Sequence, residues 1–234
     1  MNLRRIFVSI FISALYISDM KKIFILIILP AILFSCKKDP AVIDISGKLF
    51  DPNAGNYIAG ATVSLQATGV VDGVYNSGFT TIASSTTDGQ GSFFFNIEES
   101  TYDAFRFTFY KDGYFLSQKE YSAGDITPEQ PFNGTFDIYS KSYIKLRVRN
   151  TNPYDEFDQI SVYFSNPPST CTECCSSTPF QMTGMDIDTI IYCNCYGNYS
   201  LAVNYAYTKN SVNYILKDTL ITVPFDTTYH NINF

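Results

Sequence analysis

The sequence predicts an all-β protein built as two consecutive antiparallel β-sandwiches. Three observations carry this reading. Apolar residues alternate with polar ones at period two through most of the chain, and no stretch of helical length shows a 3.6-residue period. Turn signals recur at short intervals, at Asp51-Pro52-Asn53, Asp88-Gly89, Asp112-Gly113, Asn133-Gly134, Asn152-Pro153 and Asn166-Pro167-Pro168. Residues 36–234 supply enough chain for two sandwiches of about 100 residues each.

The strands follow in order. Ala61, Val63, Leu65 and Ala67 share one face of the first clear strand, with Thr62, Ser64 and Gln66 opposite. Phe93, Phe95 and Ile97 form the next set, and Phe105, Phe107 and Phe109 face away from Arg106 and Thr108. Ile144, Leu146 and Val148 oppose Lys145, Arg147 and Arg149, which makes one strand basic on its wet face. Ile160, Val162 and Phe164 continue the pattern, as do Leu201, Val203, Tyr205 and Tyr207. The boundary between the halves is expected near Ser140, giving 43–140 and 141–234, with no Pro-rich or Ser-rich linker between them. The halves end alike, in Asp125-Ile126-Thr127 through Phe136-Asp137-Ile138 and in Leu220-Ile221-Thr222 through Ile232, a faint sign of a repeated unit.

Composition narrows the function classes. The 234 residues carry 16 Lys and Arg against 22 Asp and Glu, a net charge of −6, and 16% are aromatic, with 20 Phe and 18 Tyr. So many aromatic residues exclude a disordered acidic segment, and the acidic balance argues against nucleic acid as a partner.

The first 35 residues read as a leader. Ile6–Ile17 and Ile23–Phe34 are each too short to span a bilayer comfortably. Met20-Lys21-Lys22 before Ile23–Phe34 has the basic and apolar regions of a secretory signal, with Met20 the expected start. Leu33-Phe34-Ser35-Cys36-Lys37-Lys38-Asp39 then resembles the bacterial lipoprotein signal, in the form seen in Bacteroidota. That resemblance implies a cleaved signal helix over 1–35, acylation of Cys36, a lipidated tether over 36–42 and attachment to the outer membrane, facing the periplasm or the exterior. Phe34 is bulkier than the small residue usual in that position. The competing reading is an uncleaved anchor helix ending in a buried cysteine. Cleavage would leave 12 basic and 21 acidic residues, a net of −9. Lipid, and not a polybasic patch, must then hold the membrane.

The first half carries a second resemblance. Gly47 and Asp51, Ile58-Ala59-Gly60-Ala61-Thr62-Val63, Thr87-Asp88-Gly89-Gln90-Gly91-Ser92-Phe93 and Lys111-Asp112-Gly113-Tyr114 follow the order found in carboxypeptidase regulatory-like domains. This implies a transthyretin-like (Ig-like) sandwich and a non-catalytic module. It covers about residues 43–116, reaching at most to 139 within the expected 43–140 domain, and leaves the second half unexplained. The Gly69–Gly78 segment reads as an exposed loop.

Cys171, Cys174, Cys175, Cys193 and Cys195 lie close together in the second half. In an oxidising compartment they read as two disulfides and one spare thiol. Cys193 and Cys195 share a strand face with Cα atoms about 6.5 to 7 Å apart, too far for an undistorted bridge. Bridges to the 171–175 loop are therefore expected. The same thiols offer a metal-handling alternative, or a redox or partner-linking thiol.

Asp155, Glu156 and Asp158, with Asn150 and Asn152, could supply oxygen ligands to calcium, and turn chemistry explains them equally. Paired acids, among them Asp186 and Asp188, keep open a hydrolase reading for the second domain. His230, the single histidine, reads as a surface residue of the last strand. Thr189, Thr219 and Thr227 sit in short Asp-Thr strings resembling O-glycosylation sequences of exported Bacteroidota proteins. No phosphate loop, nucleophile elbow or zinc-protease motif occurs, and no cofactor is expected. The sequence thus points to a non-catalytic, lipid-anchored binding or scaffold module with a protein or glycan partner, reached through loops or sheet edges.

Overall fold

Alternation of apolar side chains becomes strand after strand in the computed structural model, which describes residues 41–234. The expected leader, Cys36 and all of the tether before Ala41 lie outside the described residues. Among the described residues no helix is long and apolar enough to cross a membrane.

The first sandwich contains β1 (Val42–Asp51), β2 (Asn56–Tyr57), β3 (Thr62–Val71), β4 (Val74–Thr86), β5 (Ser92–Glu98), β6 (Tyr102–Tyr110), β7 (Ser117–Ser122) and β8 (Phe132–Asp137). β1 lies between β5 and β8, and β4-β3-β6-β7 form the facing sheet. The second contains β9 (Lys141–Arg149), β10 (Gln159–Phe164), β11 (Phe180–Thr183), β12 (Asp188–Tyr196), β13 (Ser200–Lys209), β14 (Val212–Ile221) and β15 (Thr227–Asn233). Here β9 lies between β12 and β15, opposite β11-β10-β13-β14. The two strand orders correspond element by element, with β2 an addition in the first.

Most pairs are antiparallel, as expected. Two are parallel: β1 with β8, and β9 with β15. In each sandwich the last strand returns beside the first, an arrangement invisible to periodicity because it depends on long-range pairing.

Each sheet turns its apolar stripe inward. Val63, Leu65, Ala67, Phe105, Phe107 and Phe109 are fully buried in the first core, where Phe107 and Phe109 pack on Phe136 at 5.1 and 4.6 Å between ring centroids. Ile144, Leu146, Val148, Val162, Phe164, Leu201 and Val203 are fully buried in the second, beside Cys175 and Cys195. The first core sets a cluster of phenylalanines among aliphatic residues, and the second is mostly aliphatic with two buried cysteines.

Two expected loops are strands. Asn133-Gly134 lies inside β8, where Gly134 pairs with Gly47. A Cβ on Gly134 would meet the Phe132 ring at 2.8 Å, and one on Gly47 would meet Phe93 at 2.5 Å. These glycines make room for rings and do not mark turns. The Gly69–Gly78 segment continues the β3–β4 hairpin instead of looping out, pairing Gly69 with Asn76 and Val71 with Val74 around Asp72 and Gly73, both at positive φ.

The registers also order the ends. The chain enters β1 beside the Glu98–Tyr102 connection, where the Glu99 N–H donates to Ala41 O at 2.7 Å. Asp51, Asn53 and Gly113 lie at the opposite end, bonded to Ser140 just before the second sandwich and to Gly197 and Lys141 within it. That sandwich then runs away to a tip where Asn150 N donates to Ile187 O and Thr151 N donates to Phe234 O, both at 2.9 Å.

Phe107→Ala is expected to cost about 3–5 kcal/mol in urea unfolding, because the ring is fully enclosed, whereas Phe94→Ala, with 56% of its surface exposed, should change stability by about 0.5 kcal/mol or less.

Candidate functional site

The place where the sandwiches meet gathers the most chemistry. Asp51 is fully buried and every bond to its carboxylate comes from backbone: Oδ1 accepts from the N–H groups of Asn53 (3.0 Å) and Ala54 (3.1 Å), and Oδ2 from Ser140 N–H (3.1 Å). The Asn53 amide donates to Gly197 O at 3.1 Å, and Gly197 N–H to Ser140 O at 2.8 Å. Tyr139 and Tyr196 stack with centroids 4.0 Å apart and planes 2° from parallel, and Phe115 meets Tyr196 edge-on at 5.3 Å. Phe225 closes the other flank against Tyr114 and requires Gly113, whose φ is +79° and whose added Cβ would lie 2.9 Å from the ring.

Beside this junction a crevice of about 460 Å³ opens between β7 and β8 on one side and the 170–173 segment on the other. Phe115, Tyr139 and Tyr196 form its floor, and Lys119, Asp137 and Glu173 its charged rim. Its size suits a small ligand and its setting between two sandwiches is where such sites form.

The cysteine loop flanks that crevice. Cys175 bridges to Cys193 on β12, a loop-to-strand bond as expected, while Cys171 bridges to Cys174 within the loop. The second bond differs from the expected pair of strand-to-loop bridges. Its cause is local: Cys171 N–H donates to Pro168 O in a turn, and Cys174 already pairs with Asn194, which leaves Cys175 beside β12. Cys195 is the free cysteine among the described residues. It is fully buried, and burial pushes its thiol up to about 11. A thiol held protonated in the core is a poor nucleophile and a poor metal ligand. With four of the five sulfurs bridged, the metal reading loses its thiolates.

The acids separate. Asp158 is buried and Asp155 half-buried, while Glu156 is exposed. Asp155 Oδ1 accepts from Phe157 N–H within its own turn, and Asp158 Oδ2 accepts from the Asn150 amide and Tyr154 N–H. Burial raises the Asp158 carboxyl, but hydrogen bonds from Tyr154 and Asn150 and the charge of Lys209 outweigh it and hold the group below its ordinary value. This carboxylate fastens the 150–158 loop. Among the described residues no three His, Cys, Asp or Glu side chains gather as a metal site.

Asp186 and Asp188 are exposed, as a strand's wet face requires. Asp188 is chelated by Arg147 at 2.7 and 2.6 Å, and that bond holds its carboxyl below the ordinary range. A carboxylate so clamped is unsuited to exchanging protons near neutrality. His230 is half-buried and not simply a surface residue: its Nε2 lies 2.9 Å from Asp218 Oδ2 and joins β15 to β14 across the sheet edges. Thr189 and Thr219 are exposed on β12 and β14, and Thr227 is half-buried at the start of β15. The junction itself escaped sequence reasoning. Asp51 was legible as a turn residue, but its partner lies 89 positions away.

No protein-family model matches the chain, and no curated protein matches it by sequence. Among solved structures, the chain is similar to the Bacillus anthracis TIE protein at TM-score 0.34 and 10% identity, covering 82% of this chain and 34% of that one. It is similar to a streptococcal ancillary pilin at TM-score 0.34 and 14% identity, covering 84% and 63%. The minor pilin of Streptococcus agalactiae gives 0.30 and 10%, covering 82% and 94%. The chain thus spans about a third of the TIE protein and under two thirds of the ancillary pilin. Likenesses this distant leave the fold to be argued from the strands themselves.

Two outcomes follow. Replacing Cys175 and Cys193 by Ala should cost about 3 kcal/mol in urea unfolding, since that bridge spans 18 positions, and replacing Cys171 and Cys174, three apart, about half as much. A carboxyl lowered by folding stabilises above its unfolded value and loses that contribution as pH falls through its folded one. Asp158→Asn should therefore cost about 1–3 kcal/mol at pH 7, with the gap to wild type shrinking below about pH 4 in parallel urea titrations.

Proposed function

We propose that this chain is a non-catalytic, lipid-anchored module of the outer membrane that holds its second sandwich away from the bilayer and offers it to a protein or glycan partner. The observation that carries the reading is the order of the ends. Cys36 precedes Ala41 by five residues, a reach of at most about 18 Å. An acyl group on that cysteine would keep the entering end of the first sandwich near the lipid. β1 then runs ten residues, about 33 Å, to the junction, and the second sandwich continues beyond it.

The junction suits a spacer. A buried carboxylate bonded to three N–H groups and a stacked tyrosine pair oppose bending between the two bodies, which a hinge-closing enzyme would need. In this reading the first sandwich is the regulatory-like module and the second the presented part.

Metabolic labelling of the expressing cell with a palmitate analogue tests the anchor. Wild type should take the label and fractionate with membranes, and Cys36→Ala should lose the label and leave the membrane fraction. An unlabelled wild-type chain still carrying residues 1–35 would overturn the reading. Protease shaving of intact cells then tells exterior from periplasm.

A further inference from the structure

The basic strand singled out by its alternation acquires a setting on the second sandwich. Residues 41–234 hold ten Lys and Arg against twenty Asp and Glu, yet four of those ten cations, Lys141, Lys145, Arg147 and Arg149, occupy alternate positions of β9. Their neighbours Ile144, Leu146 and Val148 fill the core, so the cations stand on the outward face.

Register brings tyrosines to them. Lys145 pairs with Tyr192 on β12 and with Tyr229 on β15. Its Nζ lies 5.5 Å from one ring centroid and 5.7 Å from the other, and the two rings are 65% and 69% exposed. Two strand spacings separate those rings by about 10 Å. Tyr143 extends the platform along β9. Arg147 is engaged by Asp188, with Arg149 Nε 3.8 Å from the same carboxylate, which leaves Lys145 the cation centred between exposed π-faces.

We propose that the outward face of β12, β9 and β15 binds an acidic glycan, a polysaccharide bearing uronate carboxylates. Sugar rings lie on Tyr192 and Tyr229, and Lys145, fixed between them, takes a carboxylate. A neutral glycan would leave Lys145 without an anionic partner. Double-stranded DNA, with one charge per about 1.7 Å, needs a continuous basic track and would meet the net −10 of the surrounding protein. The inference rests on the binding-module reading and names its ligand class, but its test involves no membrane, so labelling at Cys36 and glycan binding can fail separately.

The test is affinity electrophoresis of the full chain in detergent, through native gels containing polygalacturonate, alginate or dextran, with dissociation constants from calorimetry. Retardation by the polyuronates and not by dextran is expected, weakening as salt rises. Lys145→Gln, Tyr192→Ala and Tyr229→Ala should each weaken binding by about tenfold or more. Gln159→Ala, on the outward face of the other sheet, should leave it unchanged. Tyr192, Tyr229 and Gln159 are exposed and Lys145 half-buried on the outward face, and matching melting temperatures confirm the fold of each variant. Retardation by neither polyuronate, equal retardation by dextran, tighter binding of a DNA oligonucleotide, or an unchanged constant for Lys145→Gln would overturn the proposal.

Discussion

One buried carboxylate sets the geometry of the described chain. Asp51 ends the first strand of the first sandwich and accepts the N–H of Ser140, one residue before the first strand of the second. Removing a charge from water costs several kcal/mol unless it is fully bonded, so Asp51 admits only arrangements that bring three N–H groups to it. Stacking of Tyr139 on Tyr196, the Phe225–Tyr114 contact and the Asn53 amide on Gly197 O reinforce the same junction. The crevice and the cysteine loop lie beside this junction.

The same topology, used twice, was filled differently. In the first sandwich Phe93, Phe107, Phe109 and Phe136 interlock at 4.6 to 6.4 Å, and glycines at 47 and 134 yield space to the rings. In the second, smaller aliphatic side chains fill the core, and the Cys175–Cys193 bridge ties down the long connection between β10 and β11. A core closed from within leaves the outer faces free to vary. That is where the basic strand and its tyrosines sit.

How much was legible follows from the range of each interaction. Alternation at Phe105, Phe107 and Phe109, or at Ile144, Leu146 and Val148, is local, and every one of those side chains is fully buried. Gly60 and Asp88 were legible as turn formers for the same reason: Gly60 has φ +68°, and Asp88 Oδ1 accepts from Gln90 and Ser92. Asn133-Gly134 misled because its glycine answers to rings from the core and not to the backbone beside it. Lys145 was visible as the wet face of a strand, but Tyr192 and Tyr229 stand 47 and 84 positions away and become its neighbours only through pairing on both sides of β9. Likewise Cys171–Cys174 depends on how the loop lies along β12.

The return of each last strand beside the first has a mechanical consequence. In the first sandwich, six residues of β1, Ile45–Phe50, run parallel to Phe132–Asp137 of β8. A pull that enters at Val42 and leaves at Asp137 would drag these neighbours in opposite directions along their length. The bonds between them would then be strained together in shear, not peeled open in turn. β9 and β15 repeat the arrangement over seven residue pairs, from Tyr143–Thr227 to Arg149–Asn233. A load between Lys141 and Phe234 would be resisted in the same manner, by bonds strained together and not opened strand by strand.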